Sequence, residues 1–167
     1  MEKLEHSLRR KHMIRVCRKE EYTILIGILR ESFAVGSADK LLEDKFGKLN
    51  GFEWWERKTV DIVKQIEDFP AGVFVEELEG EIAGFITTSV DKKFLVGRIW
   101  TLCVRSKFQG KGIGTRLIKH AFNMFKENNI NLARIEVIEE NPKALELYKK
   151  LGFEPFTSLI NLAMKIK

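Results

Sequence analysis

The stretch Leu102-Cys103-Val104-Arg105-Ser106-Lys107-Phe108-Gln109-Gly110-Lys111-Gly112-Ile113-Gly114-Thr115 decides the reading of this chain. Its first residues close a β-rich run over residues 94–104. Its glycines make a turn, and across residues 112–128 the apolar positions Ile113, Leu117, Ile118, Ala121, Phe122 and Phe125 recur at the helical period. A strand that turns through alternating glycines into a helix exposes main-chain N–H groups at the positive end of the helix dipole. Glycine lets a ligand approach them with no Cβ in the way. Phosphate suits such a nest, and Lys107, Lys111 and Arg116 flank it with complementary charge.

Outward from this turn, residues 71–78 and 82–90 are β-rich runs around Glu79-Gly80-Glu81, an antiparallel hairpin signal. Asp91-Lys92-Lys93 turns the chain into the 94–104 run, so three strands form a meander. Further upstream, residues 13–18 alternate as a first strand and residues 20–33 carry helical spacing. Residues 34–51 read as a loop with a helical piece around Leu41-Leu42, and residues 52–69 as a helix ended by Pro70. Downstream, residues 131–138 return to strand. Asn141 caps a helix with Pro142 at its first position and an apolar stripe of Ala144, Leu145, Tyr148 and Leu151, ending at Gly152. Residues 153–156 and 159–166 supply one or two final strands. The expected order is β-α-α-β-β-β-α-β-α-β. That order implies an α/β (α+β) fold: a single domain over residues 13–167 around a central mixed, mostly antiparallel sheet of about six to seven strands, helices on both faces. Residues 1–12 are a basic arm, with Arg9-Arg10-Lys11 as its densest cluster.

Composition narrows the class. In 167 residues, 44% are hydrophobic and 32% charged, which suits one folded core rather than a disordered tail. The start of the chain is charged throughout, without the apolar segment of a signal peptide, and no run of about 18 uncharged apolar residues occurs. A soluble, cytoplasmic protein without a membrane partner is expected. Lys plus Arg (29) exceed Asp plus Glu (24), for a net charge of +5 that favours anionic ligands. The basic arm reads as solvated, and nucleic acid is not expected as a partner. Cys17 and Cys103 build neither a disulfide framework nor a metal site, and His6, His12 and His120 have no ligand spacing, so no metal is expected.

Two nucleotide signatures fail on these letters. A P-loop needs G-x-x-x-x-G-K-S/T, and a Rossmann turn needs a third glycine where Leu117 stands. Gln109-Gly110-Lys111-Gly112-Ile113-Gly114 instead matches R/Q-x-x-G-x-G/A, the acyl-CoA signature of the GNAT superfamily of N-acetyltransferases, which this chain resembles. Residues Asn141 to Phe153 resemble the family's N-x-x-A-x-x-L-Y-x-x-x-G-F segment, in order and at the expected separation. The resemblance implies a GNAT-like fold with acetyl-CoA as acyl donor. It implies further that main-chain groups of Leu102, Cys103 and Val104 pair with the pantetheine arm like an added strand, and that the pyrophosphate lies on Gln109, Gly110, Lys111, Gly112, Ile113, Gly114 and Thr115. Asn141 would touch the cofactor through its side chain, Tyr148 would face the thioester sulfur, and the N–H of Val104 would polarise the carbonyl.

Acetyl transfer to an amine needs a base for the nucleophile and an acid for the departing thiolate. Glu136, between Ile135 and Val137, is the candidate base, and Tyr148, twelve residues on, the candidate acid. This Ile135-Glu136-Val137 to Tyr148 segment is closest in motif to ribosomal-protein alanine N-acetyltransferases. Many family members carry a Glu on the fourth strand near the place of Trp100, and this chain does not, which puts the weight on Glu136 or a water relay. An α-amino group, at a pKa of about 7.7–8, needs far less of a base than a Lys amine at about 10.4. The expected activity is therefore acetylation of a primary amine, the acceptor being a protein or peptide N-terminus. A small amine is the second reading, since Asp39, Glu43, Asp44, Glu53 and Glu56 gather where the family places its acceptor. A CoA-binding sensor without turnover is the third, and a homodimer is an open alternative to a monomer.

Overall fold

The computed structural model describes residues 12–34 and 36–166. Strand β1 (His12–Val16) leads through a 3-10 turn (Lys19–Glu21) into α1 (Tyr22–Phe33), then α2 (Ala38–Phe46) and α3 (Trp54–Asp68). The meander follows as β2 (Val73–Leu78), β3 (Glu81–Asp91) and β4 (Val96–Val104). A 3-10 turn (Ser106–Phe108) then leads into α4 (Ile113–Glu127), β5 (Leu132–Ile135) and α5 (Pro142–Lys150). The helical piece expected inside residues 34–51 is α2, nine residues started by the Ser37 hydroxyl accepting from Lys40 N–H. Of the arm expected over residues 1–12, residues 1–11 lie outside the described residues, and His12 opens β1.

The sheet runs β1-β2-β3-β4-β5, antiparallel until β5, which joins β4 in parallel. One face buries Leu25, Ile28 and Leu29 of α1 and Ile62 and Ile66 of α3 against Val75, Phe85 and Cys103. The other buries the stripe Ile113, Leu117, Ile118, Ala121 and Phe125 of α4, joined by Tyr148 of α5. Helices thus cover both faces, as the two apolar periods require.

Among the described residues the sheet has five strands, not six or seven. Residues 153–156 and 159–166 are irregular; Phe153 packs on the core, but Phe156 and the apolar side chains of 159–166 point to solvent, Leu162 and Ile166 each 91% exposed. A period of two makes a segment able to pair, but a strand exists only where a neighbour accepts its hydrogen bonds.

The β1 end is held by an ion pair. Arg15 meets both carboxylate oxygens of Glu21, at 2.8 and 2.7 Å, and Arg18 N–H donates to the same group at 2.8 Å. The Arg15 guanidinium holds the Glu21 carboxyl at about 2. Because this folded value lies below the unfolded one of about 4.3, the pair stabilises above that pH, and its contribution is lost as pH falls towards 2. In melting curves between pH 6 and 2, Glu21→Gln is expected to lose less stability over that window than the parent chain; parallel curves would refute the coupling.

Candidate functional site

The glycine turn has the backbone its letters demand. Gly110 and Gly112 sit at φ +77° and +74°, a region L side chains rarely enter, and Gly112 is the left-handed cap of α4. The first capping bond of α4 runs from Arg116 N–H to Gly112 O at 3.1 Å. The N–H groups of Ile113, Gly114 and Thr115 therefore precede any carbonyl four residues back and face outward at the helix start. Nothing lies within 4 Å of where a Cβ on Gly110 would stand. Ile113 is buried in the core, so it contributes its main chain to this nest while its side chain anchors the helix.

The flanking cations divide unequally. Arg116 turns inward: its Nε donates to the fully buried Glu76 at 2.9 Å, and its Nη1 donates to Lys111 O at 2.9 Å. Lys107 pairs with Glu81 at 2.6 Å, and Lys111 lies over the Phe108 ring at 5.1 Å. Arg116 is thus a brace for the turn rather than a free charge beside it.

At the end of β4 the sheet opens. β5 pairs only with residues Val96, Gly97, Arg98 and Ile99, and a bulge follows, since Thr87 opposes Thr101 while Thr88 opposes Ile99. Trp100 is the extra residue. Arg105 N–H donates to Ala83 O at 2.9 Å, so the alternation of the strand turns the main-chain groups of Val104 and Leu102 away from β3. There the Ser32 hydroxyl of α1 accepts from Val104 N–H at 3.1 Å and donates to Val104 O at 2.9 Å, and Gln109 Nε2 donates to the same carbonyl at 3.3 Å. Ser32 was not singled out from sequence. Its signal was available, because it continues the buried Ile28 and Leu29 stripe at helical spacing and is polar.

Tyr148 enters from α5. Asn141 positions that helix, its Oδ1 accepting Ala144 N–H at 3.2 Å, and Pro142 starts the first turn. Tyr148 is 8% exposed, with Phe153 edge-on at 6.0 Å. Burial pushes its phenol up to about 12, and the nearby Cys103 adds to the rise.

Glu136 lies just past β5. Its neighbours Ile135 and Val137 pack on the α4 face, and Glu136, between them, is 68% exposed and paired with Arg98. The Arg98 guanidinium stacks 3.7 Å from the Trp100 ring centroid. The structure therefore groups Glu136 with Arg98 and Trp100. Among the described residues no hydrogen bond joins Glu136 to Tyr148.

The acidic cluster of the α2–α3 region is partly paired, and the buried Glu43 Oε2 has no hydrogen-bond partner among the described residues. Arg57 lies 3.9 Å from Asp39 and 3.6 Å from Glu43, Lys40 pairs with Asp44 and Lys48 with Glu53, and Glu56 accepts Glu53 N–H at 2.8 Å. Cys103 is buried beneath the open edge, and burial raises its thiol above the ordinary range; Cys17 is pushed up to about 12 in the same way. Burial and the raised pKa both disfavour the thiolate that a nucleophile needs. Iodoacetamide at pH 8 is expected to leave both unmodified until denaturant is added, as intact mass would show; labelling of the native chain would contradict this burial.

The family model described as Acetyltransferase (GNAT) family matches residues 36–153, from the loop after α1 through the turn and α5. The chain belongs to the GNAT family. An uncharacterised N-acetyltransferase of Methanocaldococcus jannaschii is 33% identical over 129 residues, 70% of this chain and 56% of that one. An N-alpha-acetyltransferase of Sulfurisphaera tokodaii is 32% identical over 103 residues, 55% of this chain and 62% of that one. The chain thus matches about three fifths of the length of each of these relatives. The paiA N-acetyltransferase of Thermoplasma acidophilum, solved in complex with coenzyme A, shares the GNAT fold at a TM-score of 0.67 and 20% identity, over 86% of this chain and 89% of that one.

Proposed function

We propose that this chain is an acetyl-CoA-dependent N-acetyltransferase acting on a primary amine. The observation that carries the reading is the nest of N–H groups ahead of Arg116 on α4, opened by glycines at +77° and +74° and set beside the unpaired edge of β4. Family membership and the relatives named N-acetyltransferases support it. The site fits the donor: the open space over Gly110 and the N–H groups of Ile113, Gly114 and Thr115 accept a pyrophosphate, with Gln109 and Lys111 at its rim. The edge groups of Leu102 and Val104 accept an extended polar arm, with Cys103 packed beneath, and Asn141 has its amide N–H groups free of the capping role its oxygen plays. Acetyl-CoA supplies an activated acyl group when bound.

The chain's own residues then divide the proton work. Val104 N–H, released from Ser32, donates to the carbonyl that gains charge. Tyr148 keeps its proton through the neutral range and donates it to the leaving thiolate. Glu136 accepts the proton of the attacking amine, directly or through one water, after exchanging its Arg98 partner. An exposed carboxylate suits an acceptor that is only about one pKa unit from its free base, an α-amino group, and this favours a protein or peptide N-terminus. Arg57, Lys40 and Lys48 offset part of the acidic cluster of the α2–α3 region, which weakens the support for a polyamine acceptor.

Release of free CoA against peptides with free N-termini, polyamines, amino acids and aminoglycosides tests the reading. Turnover on the peptides is expected, with Glu136→Gln lowering kcat by about 10² or more. Turnover on a small amine alone would replace the acceptor. Tight donor binding with no turnover on any class would make the chain a sensor.

A further inference from the structure

On the sheet face that carries Glu136, the turn between β3 and β4 and the strands beside it leave a groove of about 770 Å³. Lys92, Phe94, Arg98, Trp100 and Arg134 line it. Cations and rings meet in and around it, with Lys93 and Phe156 just outside its lining. Lys93 Nζ lies 5.2 Å from the Phe94 centroid, the Arg98 guanidinium 3.7 Å from Trp100, and the Arg134 guanidinium 5.5 Å from Phe156. The rings are exposed rather than part of the core, and Trp100 is fixed by its Nε1–H donating to Ser89 Oγ at 2.8 Å. Among its lining residues Asp91 is the carboxylate, and Glu136 reaches the groove through Arg98. Asp91 Oδ1 accepts the N–H groups of Lys93 and Phe94 at 2.9 and 3.0 Å, and Glu136 pairs with Arg98. Asp91 keeps its charge, so with Lys93 nearby the set of Lys92, Lys93, Arg98 and Arg134 against Asp91 and Glu136 is left with a surplus of two positive charges beside the group that would take the proton from the acceptor.

We propose that this groove selects acceptors by the acidic side chains that follow their free amine: the substrate class is a peptide with Asp or Glu at its second and third positions. An extended chain advances about 3.3–3.6 Å per residue, so side chains two and three places from an amine held at Glu136 reach the Arg98, Arg134 and Lys92 side of the groove. Guanidinium forks bind carboxylates in plane, and the flanking rings shield these pairs from water. Basic and aromatic groups together also suit single-stranded nucleic acid, which needs a track several nucleotides long. The groove, at about 770 Å³, is short for such a track and lies next to the carboxylate that would receive the amine's proton, which favours the peptide. The inference rests on the transferase reading, since the place of Glu136 is what makes the groove a substrate site.

The test uses the full chain and C-terminally labelled hexapeptides with free N-termini, alike except for Glu-Glu or Lys-Lys at positions two and three. Anisotropy reads binding without turnover, and CoA release reads transfer. The Glu-Glu peptide is expected to bind about tenfold more tightly, equivalent to about 1.4 kcal/mol. Arg134→Glu and, independently, Lys92→Glu are expected to erase or reverse that preference. Equal binding of the two peptides, a preference for Lys-Lys, or tighter binding of a hexanucleotide RNA with a steep salt dependence would overturn the proposal. Acidic-peptide preference with no CoA release would sink the transferase reading and uphold the groove; CoA release from both peptides at equal KM would do the reverse.

Discussion

Gly112→Glu is expected to abolish acetyl-CoA binding, a loss of at least about a hundredfold in Kd, or roughly 2.7 kcal/mol. Three effects act together at this position. A side chain at φ +74° carries a backbone cost of about 1–2 kcal/mol, set against the helix that Gly112 caps. A Cβ there would stand 3.2 Å from Arg116 Nη1 and press on the brace that runs from Glu76 through Arg116 to Lys111 O. The new carboxylate would then occupy the positive end of α4, where the anion binds. Calorimetric titration of the variant with acetyl-CoA checks this. Gly112→Ala separates the causes, because it keeps the strain and removes the charge; its loss should be several-fold rather than complete. Wild-type affinity in Gly112→Glu would show that this turn does not hold the phosphates.

Tyr148→Phe should lower kcat by about 10²–10³ and leave the acetyl-CoA Kd within a few-fold of the parent. The ring stays packed against Phe153 and the α4 face, so only the proton donor is lost. With its phenol pushed up to about 12, Tyr148 is protonated throughout the neutral and moderately alkaline range. Its ionisation therefore adds no falling alkaline limb to the rate below about pH 11, and any limb near pH 8 belongs to the amine or to the base. Steady-state rates across pH 6 to 10 for both forms decide the assignment. Unchanged kcat in the variant would remove Tyr148 as the acid and leave water to protonate the thiolate.

Most of what positions the site was legible because its causes are local. The left-handed glycines, the helix after them, the hairpin around Gly80 and the Asn141-Pro142 start each follow from a few neighbouring residues, and the structure has all of them. Tyr148 lay on an apolar stripe and is buried there. Glu136 lay between two apolar neighbours and faces away from them, although the strand expected over residues 131–138 ends at Ile135 and leaves it just outside β5. Two expectations failed for one reason. Residues 153–156 and 159–166, expected as strands, have no partner strand, and Arg116 has a phosphate binder's charge but spends it on Glu76.

The sequence by itself determined the local elements and the chemistry that the glycine turn can hold, because φ preferences, capping and periodicity act over a few residues. The tertiary structure alone decided which charges remain free. Arg116 meets Glu76, forty residues away, and Arg57 meets Asp39, eighteen away, so both cations are spent inside the fold, while Arg134 is left beside an open groove. It also placed Ser32 on both main-chain groups of Val104, seventy-two residues distant. Such pairings depend on which side chains the packed sheet and helices bring within about 3 Å, and no local pattern along the chain encodes that distance.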